Sequence, residues 1–346
     1  MKKYPLVCLL LLTCSAIHAQ EKTPPVPATD SVSGSASEAP AKDPLAGPTL
    51  SLDTMVVAAS RVQESLLHTP ITVEKMDSGM VRDTPSLSFY DGLANLKGVE
   101  MVTSGLTYNQ INTRGFDDTG NARFLQLVDG VDNQTPGLTF AVGNLFGVSD
   151  IDVESVEVIP GAASALYGPV AFNGLLSINT KDPFTYPGLS IQTKFGVNHI
   201  GEADTNPKGL YDVSLRYALV VNDRLAFKFN FSRFSGTDWY ATNYTDVNLS
   251  TPAAQRGPND PAYNGLNIYG DESARTIPGV GSVSRTGYEE RYLLDYADRS
   301  LKTSAAVHYR VTKDVTAIYQ YNYGEGTAAY TGSNRFSLDD FKLQQH

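Results

Sequence analysis

The side chains that could do chemistry in this chain are scattered. The five histidines, His18, His68, His199, His308 and His346, are so widely spaced that no metal or nucleophile cluster forms among them. Paired acids occur at Asp117-Asp118, Glu289-Glu290 and Asp339-Asp340, but no base accompanies them, which fits solvated turns rather than general acid–base work. Gly279-Val280-Gly281 lies in a loop and lacks the strand and helix that a dinucleotide fingerprint requires. Both cysteines, Cys8 and Cys14, fall in the first 19 residues. No enzyme, cofactor or metal site is expected.

What remains is recognition chemistry. Asp53-Thr54-Met55-Val56-Val57-Ala58-Ala59 is a short β-prone stretch with no strand partner in the adjoining sequence. Such a segment suits addition to the open sheet edge of another protein, where backbone hydrogen bonds supply affinity and alternate side chains fill pockets. The competing reading is an ordinary first strand of the domain that follows.

The elements around it define the setting. Lys2 and Lys3, an apolar run over residues 7–12 and small residues at Ser15, Ala16 and Ala19 form a secretory signal peptide with cleavage expected after Ala19. Thr13 is a poor fit to a lipoprotein signal at Cys14. Cleavage removes both cysteines, so the exported chain relies on sheet closure or a sizeable core rather than on disulfides. It also removes two lysines and no acid, leaving a chain more acidic than the formal −10 of the whole. With no basic cluster, a nucleic-acid partner is not expected. Residues 20–52, rich in Pro, Ala, Ser and Thr, read as a flexible linker.

From residue 60 to 188 the pattern is mixed. Thr84-Pro85 opens a helix carrying Leu87, Tyr90, Leu93 and Leu96 that stops near Gly98, and a strand follows at 99–103. Residues 124–128 run into Asp129-Gly130, a strong hairpin signal. Residues 153–159 alternate, 162–167 form one helical turn, and 175–179 are a last strand.

These residues carry a resemblance. The segment 53–59 resembles the TonB box of TonB-dependent outer-membrane receptors, and Asn112-Thr113-Arg114-Gly115-Phe116 resembles the Arg-Gly-Phe motif of their plug. Leu127-Val128-Asp129-Gly130-Val131 resembles the next plug motif, and the run from Asp152 through Ala165-Leu166-Tyr167-Gly168 to Asn173-Gly174 resembles the end of the plug. Pro160-Gly161-Ala162 departs from the family's Arg-Gly-Pro. The resemblance implies that Asp53, Thr54, Met55, Val56, Val57 and Ala58 bind TonB, and that Arg114, Gly115, Phe116, Asp129, Gly130, Tyr167 and Gly168 are plug motif residues.

The last 158 residues, 189–346, test this independently, because they alternate with period two. Leu225, Phe227, Phe229 and Phe231 oppose Lys228, Asn230 and Ser232; Leu301, Ala305, Val307 and Tyr309 oppose Lys302, Ser304, His308 and Arg310. Five such strands reach the roughly 9–11 residues that cross a membrane when tilted. Their links alternate between tight turns, at Asn222-Asp223 and Thr312-Lys313-Asp314, and long connections at 198–210 and 235–300. Outer-membrane barrels put short turns in the periplasm and long loops outside. Tyrosines near strand ends suit an aromatic girdle.

The expected fold class is therefore an α+β plug domain followed by antiparallel transmembrane β-barrel strands, an incomplete barrel. The domains are a signal peptide (1–19), a linker (20–52), a TonB box (53–59), a plug (60–188) and the N-terminal part of a barrel (189–346). Five strands cannot close the twenty-two-stranded barrel that the resemblance implies, so the sequence is expected to be part of a longer receptor. The expected function is TonB-driven import of a scarce nutrient such as a siderophore, haem or cobalamin across the bacterial outer membrane. A glycan importer with a paired surface lipoprotein, or an adhesin, is the alternative. Expected partners are the TonB periplasmic domain with its inner-membrane energising complex, outer-membrane lipid and the nutrient. Substrate contacts are expected on the outward plug turns at 104–109 and 131–144, where Tyr108, Asp132 and Asn133 stand on a rigid sheet.

Overall fold

The computed structural model describes residues 55, 56, 58, 64, 65, 68, 69, 71–116, 119–135, 140–199, 207–333, 336–338 and 341–345. The signal peptide, the linker and Asp53, Thr54 and Val57 lie outside them.

The chain enters through β1 (Met55–Val56), paired antiparallel with β2 (Glu64–Ser65). The expectation that the 53–59 segment has no strand partner is thus corrected, because Val56 pairs with Glu64 and Met55 with Ser65. β3 (Glu74–Asp77) leads into α1 (Ser78–Asp83), where the Asp77 carboxylate accepts from Met80 N–H at 2.9 Å as N-cap. α2 (Phe89–Leu93) begins at Ser88 rather than at Thr84-Pro85. The Ser88 hydroxyl accepts from Tyr90 N–H, and Asp91 reaches back to Ser88 N–H, a capping box that outcompetes the proline start.

β4 (Val99–Thr103) and β5 (Asn109–Thr113) form a separate hairpin, followed by β6 (Phe124–Val128), β7 (Val131–Asp132), β8 (Val153–Pro160), α3 (Ser164–Tyr167) and β9 (Gly174–Thr180). The plug sheet has the order β3-β8-β9-β6-β7, with β6 and β9 parallel and the other pairs antiparallel. Both faces of this sheet are buried, so its central strands read as nearly continuous apolar runs. Val156, Val158, Leu176 and Ile178 pack against Phe89, Tyr90 and Leu93 on one side. On the other, Leu125, Leu127, Ile159 and Leu175 pack against Val56, Ala58 and Val73.

Five long strands follow: β10 (Gly188–Asn198), β11 (Lys208–Asn222), β12 (Leu225–Thr237) and, after a long connection, β17 (Ala297–Arg310) and β18 (Thr316–Thr327). The connection carries a small hairpin, β14 (Ala274–Ile277) with β15 (Gly281–Ser284), between the paired strands β13 (Ile268–Tyr269) and β16 (Tyr288–Glu289). β19 (Tyr330–Ser333) pairs with β20 (Phe336–Leu338), and β21 (Phe341–Gln345) adds a sixth strand to the wall, in the order β10-β11-β12-β17-β18-β21, all antiparallel. The sequence pattern predicted five; β21 escaped because five residues carry too short an alternation.

The wall is apolar outside and polar inside. In β12, Lys228, Asn230 and Ser232 are 3–5% exposed while Phe227 and Phe229 are 40% and 41% exposed. A water-soluble sandwich would bury the phenylalanines and wet the lysine. The reverse arrangement fits strands with lipid on one side and the plug on the other.

Candidate functional site

Three contacts between named residues decide what the plug can do, and each grows from a local feature of the sequence. The first holds β1. Ala58 N–H donates to Oε2 of Glu157 at 2.7 Å, and the hydroxyl of Tyr167 donates to the Ala58 carbonyl at 2.9 Å. Both polar groups of one residue in the 53–59 segment are thereby satisfied by plug side chains. Glu157 is 1% exposed and also faces Lys75 at 3.6 Å, so its charge is compensated. Tyr167 is delivered by α3, which ends at Gly168 with φ of 85°, a conformation that costs a side chain dearly. Val56 and Ala58 are 0% and 1% exposed.

The second is the loop after β5. Arg114 and Gly115 both adopt positive φ, 58° and 75°, and Gly115 N–H donates to Glu100 at 2.9 Å. Behind the loop runs a buried amide network. Asn121 Nδ2 donates to Asn112 Oδ1 at 2.7 Å and to Asn173 Oδ1 at 2.9 Å, and Asn173 Nδ2 donates to the Thr113 carbonyl at 3.2 Å. The hydroxyl of Thr113 donates to the Asn173 carbonyl. Arg114 packs across Gly161, where a Cβ would lie 2.6 Å from its guanidinium carbon. Phe116 is 64% exposed at the end of the loop. At the next motif Asp129 and Gly130 take φ of 49° and 82°, which suits a two-residue hairpin turn of the primed type, and Asp129 accepts from Thr180 N–H at 2.8 Å.

The third contact joins plug to wall. Asp152, at the entrance to β8, accepts from Arg216 Nε at 2.7 Å and from Asn230 at 3.0 Å, and lies 3.0 Å from the Lys228 ammonium. Arg216 and Asp152 are each 2% exposed. The second cation is spread over plug oxygens: Lys228 also donates to Thr180 Oγ1 at 2.7 Å, and Arg216 to the Tyr186 carbonyl at 2.7 Å. A neighbouring pair, Asp150 and Lys194 at 2.7 Å, ties the same corner to β10. Burial raises the Asp91 carboxyl and lowers the Lys181 ammonium, both of which lie close to this corner.

β17 touches the plug along its length. Ser300 donates to the Leu145 carbonyl at 2.9 Å, Lys302 to Asn144 Oδ1 at 2.6 Å, and His308 lies 3.7 Å from Asp182. Between plug and wall lies a small cleft of about 30 Å³ lined by Asn133, Ser149, Lys302 and Asn322 together with Phe146 and Val148, among others.

With this geometry in place, the comparison with known proteins is direct. Residues 65–175 match the family model described as the TonB-dependent Receptor Plug Domain. The chain carries a TonB-dependent receptor plug, followed by barrel strands. Similar solved structures include the siderophore receptor PirA from Acinetobacter baumannii, at 16% identity over 76% of this chain and 33% of that one, with a TM-score of 0.45. A mutant of the ferric enterobactin receptor PfeA from Pseudomonas aeruginosa matches at 17% identity over 79% and 35%, with a TM-score of 0.47. The copper transporter OprC matches at 15% over 75% and 31%, with a TM-score of 0.43. The chain spans about a third of the length of these structures.

Glu157 is a partner that motif reading did not name, and Asp152 and Asn173, which it placed at the ends of the third plug motif, are in the fold buried hydrogen-bond partners. Glu157 and Asp152 are acids inside an otherwise apolar or β-prone run, the one signal that could have found them. Two of the expected substrate contacts sit elsewhere than on an outward surface. Tyr108 is 0% exposed, enclosed by Val142, Leu145, Phe146 and Ala328, because its hairpin tip is pressed against the wall. Asp132 is exposed, but its hairpin turn is bound through Asp129 to Thr180, beside Lys228, and so stands at the short-turn end of the wall. Asn133 is 6% exposed and lines the small cleft between plug and wall.

Proposed function

We propose that this chain is the plug-bearing part of an active importer that takes a scarce small nutrient, such as a siderophore, haem or cobalamin, across the bacterial outer membrane. A signal peptide at residues 1–19 exports it, a linker at 20–52 spans toward the inner membrane, and residues 53–58 are the segment that a periplasmic TonB domain captures. The plug occupies 60–188 and the barrel begins at 189.

The observation that carries this reading is the clasp on β1. A segment that TonB must seize by its backbone is held in the plug through the backbone groups of one residue, Ala58, by Glu157 and Tyr167. Backbone capture by strand addition needs those same groups, so the plug and TonB compete for them. The outer membrane has no ATP, so the work has to arrive mechanically through the captured segment.

Val56→Pro in the full-length receptor tests the reading. Proline removes an N–H and fixes φ near −65°, which prevents regular strand addition. Energised uptake should be abolished while nutrient binding at the cell surface persists at normal expression. Loss of binding together with uptake would mean that β1 is only a structural strand of the plug.

A further inference from the structure

The tip of the β4–β5 hairpin is held by two acids and by no base. Leu106 N–H donates to Oδ1 of Asp238 at 2.7 Å, and Thr107 donates to Asp298 through its N–H at 3.0 Å and through its hydroxyl at 2.8 Å. The acids come from neighbouring strands, Asp238 directly after β12 and Asp298 as the second residue of β17, opposite Gly236. They are 2% and 0% exposed. Among the described residues neither joins an ion pair, and Oδ2 of Asp238 accepts no hydrogen bond.

Successive amide nitrogens lie under about 4 Å apart, so two carboxylates gripping two successive residues are close neighbours. Two anions at that depth would each lose hydration and would repel each other, whereas one shared proton cancels half the charge and supplies a donor. A metal cation is the poorer fit. Three hydrogens of the tip already point at these oxygens, and position 105 has room for no side chain, since a Cβ there would lie 2.9 Å from Oδ2 of Asp238.

Lys302 brings a positive charge that opposes retention of the proton on the pair. Lys302 stands four residues along β17 with its ammonium on Asn144. Tyr296 accepts from Asp238 N–H through its carbonyl at 2.8 Å and turns its hydroxyl to the Glu290 carbonyl. The tip itself, Ser104-Gly105-Leu106-Thr107, has no titratable side chain, and Ala328 and Ala329 beside it have none. Burial pushes the Asp238 carboxyl up to about 6.

We propose that Asp238 and Asp298 share one proton and act as an acid-tightened latch on the hairpin tip. The latch is independent of which nutrient the receptor carries. With the tip released, the carboxylates meet water and ionise near pH 4, so the docked state holds one more proton between that pH and the raised value. Docking therefore strengthens as pH falls and weakens as it rises, by about tenfold between pH 5 and pH 8.

Amide hydrogen exchange of residues 105–108 in the full-length receptor, corrected for intrinsic rates and read from pH 5 to pH 8, tests this. Protection about tenfold higher at pH 5 than at pH 8, absent at the Thr180 amide, is the expected result. A flat profile, or an equal slope at Thr180, overturns the proposal. Asp238→Asn keeps the shape and removes one acid of the pair, so Asp298 titrates without a like-charged neighbour and the profile should move to lower pH; an unchanged profile overturns the assignment. Should that variant release the tip at every pH, Asp298→Asn puts the same question from the other strand, and an unchanged profile there overturns it as well.

Discussion

Replacing Glu157 by glutamine should loosen Val56 and Ala58 from the plug without unfolding it. The bond from Ala58 N–H to Glu157 spans 2.7 Å to a carboxylate that is 1% exposed, so it is charge-assisted and contributes about 1.5–3 kcal/mol. Glutamine keeps the side-chain shape and one carbonyl oxygen, which retains a neutral bond of about 1 kcal/mol. The loss of the 3.6 Å contact to Lys75 adds little, because Lys75 is 19% exposed and can turn to water. The net weakening of about 1–2 kcal/mol raises the undocked fraction of the segment about 5–30-fold. Hydrogen exchange at the Ala58 amide of the full-length receptor reads that fraction directly. Affinity for the isolated TonB periplasmic domain should rise by a similar factor, since the competent state is more populated. Unchanged exchange and unchanged affinity at equal plug stability would refute the clasp, and weaker TonB binding would show that Glu157 contacts TonB instead of competing with it.

Other outcomes follow from the same contacts. Tyr167→Phe removes one hydrogen bond to the Ala58 carbonyl and should expose the segment about 3–10-fold, measured by the same exchange. Asp152→Asn leaves Arg216 and Lys228 facing each other in a buried site and should lower resistance to urea by about 3–5 kcal/mol, with partial recovery when Lys228 is also replaced by methionine. Gly143→Ala should cost about 2–4 kcal/mol in the same assay, because Gly143 has φ of 60° and a Cβ would lie 2.5 Å from the Asn109 backbone.

Alternation of residue type is enough to make the wall legible. Period two puts Phe227 and Phe229 on one face and Lys228 and Asn230 on the other, as it would in a soluble sandwich with one wet face, and the burial of the polar face against the plug decides between the two. The plug strands at 124–128, 153–160 and 174–180 and the Asp129-Gly130 turn are equally readable, since local backbone preference suffices to place them. The start of α2 departs from the expected Thr84-Pro85 because a capping box at Ser88 and a proline at 85 both signal a helix start, and only side-chain geometry picks between them.

Which residues meet across the chain is a different matter. Ala58 and Glu157 are 99 residues apart, Asp152 and Arg216 are 64 apart, and Thr107 and Asp298 are 191 apart, with no local pattern that links them. A buried charge announces that it needs a partner, but its sequence neighbours do not say who that partner is. Period and turn chemistry are local quantities, so residue order alone is sufficient to place a plug-like domain ahead of membrane strands. The docking of Val56 and Ala58, the burial of Tyr108 and the two acids on the hairpin tip emerge only in the folded chain, because each depends on distances closed by segments that the sequence keeps far apart.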